Sequence, residues 1–192
     1  MSRLWLVRHA RPLVAPGLCY GRLDMPADAQ ASRAAATALA QALPPRLAGL
    51  WHSPLQRCEL MALDLQALRA NLTSKPEPRI AEMDFGAWEG QAWSAIARAE
   101  IDAWAAHLAS HAPGGGEPLA AMLARVAQAL RAAAACAHDG GADVVWITHA
   151  GVARCVQWLL AHGEQRPPQS HEWPPQAPGF GAWMTLALPG RA

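Results

Sequence analysis

One lysine, one tyrosine and two phenylalanines are all that this 192-residue sequence contains of those types, and its four cysteines lie far apart in sequence. Cys19, Cys58, Cys136 and Cys155 form no C-x-x-C pair, which argues against a structural zinc site or a thioredoxin-like motif; they read as reduced thiols filling a core. Long apolar runs are missing too. Leu4-Trp5-Leu6-Val7 is far shorter than a signal peptide core or a membrane span, and Arg8 and Arg11 follow at once, so a cytoplasmic protein with no membrane partner is expected. A net charge of +1, with 16% charged and 52% hydrophobic residues, excludes both disorder and a strongly basic nucleic-acid surface. The expected partner is a small molecule. Equally absent are G-x-x-x-x-G-K-S/T, H-E-x-x-H and G-x-S-x-G, and no cysteine has an arginine six positions later, as thiolate phosphatases require. Nothing in the sequence asks for a metal or another cofactor.

What is present suits a single domain spanning residues 1–192, long enough to bury a real core. Short apolar runs alternate with Ala/Leu-rich segments, the pattern of an α/β layer architecture. The expected strands are residues 3–7, 47–52, a short piece near 79–80, 143–148 and 183–188. Helical pattern fills residues 29–42, 54–72, 92–107, 119–138 and 152–162. Residues 112–118, with the Gly114-Gly115-Gly116 run, read as a flexible connector, and the Pro-rich residues 163–181 as a loop long enough for a role beside a site.

Three strands end alike. Leu4-Trp5-Leu6-Val7 runs into Arg8-His9, Leu50-Trp51-His52 into Ser53-Pro54-Leu55-Gln56-Arg57, and Val144-Val145-Trp146-Ile147-Thr148 into His149-Ala150-Gly151. Ligands of open α/β sheets collect at the carboxyl ends of the strands, so parallel neighbours would bring Arg8, His9, Arg57 and His149 together. Two guanidiniums and two imidazoles near helix N-termini opened by Ser53-Pro54 and Gly151 suit a compact multivalent anion, of which phosphate is the natural example. An imidazole kept neutral by those cations is a nucleophile, and a second imidazole, kept protonated, would stabilise the transferring oxygens. An acid for the leaving alkoxide is still needed. Glu82 is the best candidate, with Asp84 and Glu89 as rivals, and shielding by Trp88 or Phe85 would raise its pKa.

Taken alone, each residue has a plainer reading: Arg8-His9 as a solvated strand end, Arg57 as an exposed first-turn cation, His149 as a satisfied buried imidazole, Glu82 as a loop carboxylate. Their company decides otherwise. His52, His107, His111, His138, His162 and His171 are assigned no catalytic role, and the nine tryptophans are expected mostly in the core.

Leu6-Val7-Arg8-His9, Ser53-Pro54-Leu55-Gln56-Arg57-Cys58, the block Glu82, Phe85-Gly86, Trp88-Glu89-Gly90, and Thr148-His149-Ala150-Gly151 together resemble the ordered motifs of the histidine phosphatase (phosphoglycerate mutase-like) superfamily. The resemblance implies a three-layer α/β/α sandwich with a mostly parallel central sheet. It further implies His9 as the transiently phosphorylated nucleophile, Arg8, Arg57 and His149 as phosphoryl-binding groups, Glu82 as proton donor, and no metal. Cys19-Tyr20-Gly21-Arg22-Leu23-Asp24-Met25-Pro26 is similar to the α-ribazole phosphatase branch of cobalamin biosynthesis, which implies α-ribazole 5′-phosphate as substrate and Tyr20 and Arg22 as substrate-binding residues. The chain lacks the longer insertions that the resemblance associates with mutases.

Two departures from the family pattern stand out. Ala10 replaces the usual glycine after the nucleophile and Arg11 the usual acid, so loop geometry is expected to differ. Ala15 replaces a polar residue, commonly asparagine, so one phosphate contact is expected to be missing or to be supplied by Arg11 or Arg22. The expected activity is metal-independent phosphomonoester hydrolysis on a small phosphorylated metabolite. The alternatives are a phosphatase of broad or other small-molecule specificity and, in another class, a non-catalytic phosphate-ligand binding module. A homodimer through tryptophan-bearing surface is a further expectation.

Overall fold

A computed structural model describes residues 2–190. Ten regular elements follow in chain order: β1 (Arg3–Arg8), α1 (Ala29–Ala42), β2 (Leu47–His52), α2 (Gln56–Leu68), β3 (Ser74–Pro76), α3 (Arg98–Ala106), α4 (Leu119–Gly140), β4 (Asp143–Thr148), α5 (Ala150–His162) and β5 (Trp183–Ala187). The strands make one sheet in the order β3-β2-β4-β1-β5. β1, β2, β3 and β4 are parallel, and β5 pairs antiparallel with β1 at the edge.

The alternation within β1 builds both faces of the sheet. Leu4 and Leu6 point into a core with Val144, Trp146 and the apolar faces of α4 and α5, while Trp5 and Val7 point into a second with Val145, Ile147, α1 and α2. The layers are therefore helix, sheet, helix, as the resemblance implies. By length and composition α4 is the one described helix apolar enough to cross a membrane, yet Leu119, Met122, Val126, Leu130 and Ala133 bury its stripe in the first core.

The structure corrects several expected boundaries. Residues 78–80 are a 3₁₀ turn, not a strand: Pro78 opens it and the Glu77 carboxylate caps it by accepting from the Arg79 backbone N–H. The missing strand is β3, which ends two residues before this turn begins. α2 covers only part of the expected 54–72, and the expected helix over 92–107 divides into a 3₁₀ turn at Trp93–Ala95 and the shorter α3. Residues 112–118 are no loose connector. A Cβ on Gly86 would lie 2.3 Å from the Gly114 carbonyl oxygen, and one on Gly116 2.2 Å from that of Asp84, so these two backbones interlock where side chains have no room.

Candidate active site

Strand ends deliver the polar cluster. Arg8 pairs with Thr148 in the β1–β4 ladder, the His9 backbone N–H donates to the Thr148 carbonyl at 3.1 Å, and that of Ser53 to Ile147 at 2.9 Å. Arg8, His9, Arg57 and Glu82 line one cavity of about 390 Å³, shared with Tyr20, Phe85, Trp93, Trp104, Arg154 and Trp173. The His149 ring packs edge-on against that of His9 with centroids 5.1 Å apart.

His9 is buried, and its Nδ1 lies 2.7 Å from the Ala10 carbonyl oxygen. A carbonyl only accepts, so Nδ1 carries the hydrogen and the lone pair of the neutral ring sits on Nε2. Burial, then the charges of Arg57 and Arg8, push the His9 pKa down to about 3. Ala10 fits without strain, because no described non-glycine residue has a positive φ.

His149 corrects the expectation of a protonated partner. Burial first, then Arg57 and His9, hold its pKa well below the ordinary imidazole value. Its Nε2 is 2.8 Å from Ser53 Oγ, and its Nδ1 has no partner. With the Ser53 hydroxyl donating to Nε2, the neutral ring would present Nδ1–H as a donor.

The arginines are anchored through Nη groups and leave Nε without a partner. Arg57 is fully buried and donates from Nη2 to the Gly21 carbonyl at 2.6 Å and from Nη1 to that of Leu23 at 3.0 Å. Arg8 donates from Nη1 to the Pro178 carbonyl at 3.2 Å. Five buried side-chain polar atoms among the described residues have no hydrogen-bond partner: Nε of Arg8, Arg57 and Arg154, Nδ1 of His149 and Nε1 of Trp104. All five belong to the cavity wall or to the imidazole packed on His9. Unpaired buried polar atoms are costly, and these five are gathered around one cavity.

Of the three candidate acids only Glu82 faces the cavity. Its carboxylate accepts from the Gly151 backbone N–H at 3.0 Å and from that of Met83 at 3.1 Å. The approach is close: a Cβ on Gly151 would stand 2.1 Å from Glu82 Oε1, which explains the glycine there. The N-terminus of α5 therefore holds the Glu82 carboxylate, where an anion had been expected. That of α2 is likewise taken, its Gln56 N–H donating to Asp24 at 2.8 Å. Glu89 is occupied by four backbone N–H groups, those of Gly21, Arg22, Leu23 and Phe85, at 2.8–2.9 Å. Asp84 caps Gly86 at 2.8 Å. Phe85 lines the cavity with Glu82, whereas Trp88 turns away and donates to Glu100.

Residues 4–177 match the histidine phosphatase superfamily (branch 1). The chain belongs to that superfamily. No curated protein matches the sequence. Among solved structures, mycobacterial glucosyl-3-phosphoglycerate phosphatase superposes with a TM-score of 0.80 at 22% identity, over 96% of this chain and 89% of that one. The same mycobacterial enzyme with inorganic phosphate gives 0.79 at 23%, over 97% and 90%. The protein TTHB049 from Thermus thermophilus is 29% identical over 98% of this chain and 95% of that one, with a TM-score of 0.70. The mycobacterial likeness establishes the phosphoglycerate mutase-like fold.

This superfamily member supplies the expected pocket differently at two points. Arg11 and Arg22 do not line the cavity; Arg22 is exposed and donates from Nε to the Glu82 carbonyl at 3.3 Å. Tyr20 does line it. The added cation is Arg154 on α5, which sequence reasoning missed. Its signal was spacing: Arg154 lies three residues after Gly151, on the helix face that meets Glu82. Trp93, Trp104 and Trp173 join the wall as well, so the tryptophans divide between core and pocket.

Proposed function

We propose that the protein is a metal-independent phosphomonoesterase working through a phosphohistidine intermediate. The observation that carries this reading is the neutral His9, with Nε2 free, beside the unpartnered Nε atoms of Arg8 and Arg57. Arg8, Arg57 and the Nδ1–H of His149 bind the phosphoryl oxygens and hold the phosphorus for in-line attack by His9 Nε2. The bond to the alcohol oxygen breaks as the N–P bond forms, and Glu82 gives that oxygen its proton. Water then attacks the phosphohistidine, Glu82 takes its proton, and inorganic phosphate leaves.

The substrate is a small phosphorylated metabolite, and α-ribazole 5′-phosphate is favoured. Phe85, Trp93, Trp104 and Trp173 give part of the cavity wall an aromatic surface, which suits a flat heteroaromatic alcohol. The resemblance of residues 19–26 to the α-ribazole branch supports the same choice. A cytoplasmic location agrees with such a metabolite.

The experiment is a panel of phosphorylated metabolites, α-ribazole 5′-phosphate and glucosyl-3-phosphoglycerate included, assayed with a chelator present and quenched in acid to trap phosphoprotein. The expected outcome is chelator-resistant hydrolysis, label on His9, and loss of at least about 10³-fold in His9→Ala. A His9→Ala protein as fast as wild type overturns the mechanism. Phosphate binding without turnover favours the binding module, and a flat profile across the panel favours broad specificity.

A further inference from the structure

Residues 163–181 touch the strand ends at more points than a connection needs. The Pro175 and Pro178 carbonyls accept from Arg154 Nη2 and Arg8 Nη1, and the Gly181 N–H lies 3.2 Å from the Arg8 carbonyl oxygen and 3.0 Å from that of His9. Phe180 lies between these anchors. Its ring centroid is 3.8 Å from Arg8 Cζ, 5.4 Å from Arg11 Cζ and 5.6 Å from the His9 ring. At 3.8 Å a planar guanidinium lies against the face of the ring.

We infer that Phe180 is a positioning residue for the phosphoryl subsite, acting through Arg8 and bordering His9. The inference rests on the reading of Arg8 as a phosphoryl ligand. Arg8 shares the cavity with the cations Arg57 and Arg154 and with Tyr20 and the Glu82 carboxylate, which attract it, and its long, freely rotating stem lets the fork disperse among them. A carboxylate in direct contact would hold it, but would compete with phosphate for the same N–H groups. An aromatic face attracts the cation through its quadrupole and accepts none of the in-plane N–H bonds, leaving the edge of the guanidinium for the ligand. Nε of Arg8, buried and without a partner, is on that edge. Pre-organisation of this kind lowers the ordering cost of binding and acts on affinity more than on the chemical step.

The test compares Phe180→Leu, which keeps apolar bulk without a π-face, with Phe180→Tyr, which keeps both. The probes are inorganic vanadate, titrated by tryptophan fluorescence, and p-nitrophenyl phosphate hydrolysis. Phe180→Leu is expected to weaken vanadate binding and raise KM by about 5–20-fold, with kcat within about threefold. Phe180→Tyr is expected to stay within about twofold of wild type on both measures. In an Arg8→Ala background Phe180→Leu should have no further effect on vanadate affinity, because its route through Arg8 is gone. A role in folding alone would lower Tm and kcat together and would not register in that cycle. Vanadate affinity unchanged in Phe180→Leu, or equally lost in Phe180→Tyr, overturns the assignment. Wild-type protein that binds vanadate but hydrolyses nothing overturns the proposed reaction alone, and Phe180 is then judged by the vanadate titration. Wild-type protein that binds no vanadate overturns both.

Discussion

Residues 19–26 and residues 163–181 border the same pocket and both give carbonyls to its arginines, but only the first is also gathered by a carboxylate from elsewhere in the chain. The Glu89 carboxylate collects the N–H groups of residues 21–23, Arg57 collects two of their carbonyls, and Asp24 in return caps α2. In the second the tethers are the loop's own carbonyls, one N–H and one ring, offered to Arg8, His9 and Arg154. A loop gathered by one half-buried carboxylate is coupled to stability, since removing that charge strands several N–H groups at once. A loop held without such a carboxylate, on the pocket's own arginines, is coupled to ligand affinity.

The largest effect that would break this contrast is Glu89→Gln. One oxygen accepts from Arg22 and Phe85 and the other from Gly21 and Leu23, so an amide nitrogen would face two donors on one side. Urea denaturation should register a loss of about 2–4 kcal/mol. If stability is unchanged, the first loop is not held as described.

Acid comes next. His9 and His149 have native pKa values below their unfolded ones, so the unfolded chain binds more protons and stability falls as pH drops from about 6.5 toward about 3. The slope is at most about 1.4 kcal/mol per pH unit for each imidazole. A urea midpoint that stays flat from pH 7 to 4 contradicts the neutral pair, and saturating phosphate should reduce the slope.

Trp173→Ala tests the second loop. It removes one wall of the pocket at a side chain that only borders the first core, so KM should rise about 3–10-fold while stability in urea denaturation falls by no more than about 1 kcal/mol. A fall in stability without a change in KM would reverse the comparison. The smallest effect is expected of Arg166→Ala, which breaks an exposed ion pair with Glu172 inside the second loop and should leave both midpoint and KM unchanged.

The pocket was more legible in sequence than the loops that frame it. Arg8, His9, Arg57 and His149 stand out because polar residues directly after apolar strands need a reason, and parallel pairing gathers strand ends at one edge. β3 stayed hidden because Ser-Lys-Pro has no apolar alternation and owes its pairing to β2. The break at Ala97 stayed hidden because alanine-rich sequence reads as helix whether or not a neighbour interrupts it. The motif at residues 19–26, read as a substrate signature, has a structural duty as well: a Cβ on Gly21 would sit 1.9 Å from the Met83 carbonyl oxygen. Arg154 and Phe180 were silent because each matters only through residues far away in the chain.

The antiparallel edge strand carries a consequence for how the protein is made. α5 starts at the carboxyl edge of the sheet and descends, while β5 begins opposite Val7, back at that same edge. The chain must climb the height of the domain between them, which is why a proline-rich segment crosses the mouth of the pocket. A chain emerging from the ribosome has made β1, β2 and β4 long before β5 can pair, and that pairing spans nearly the whole sequence. The aromatic rest beneath Arg8 is thus among the last contacts formed, and a nascent chain with its sheet core assembled still lacks a finished anion site.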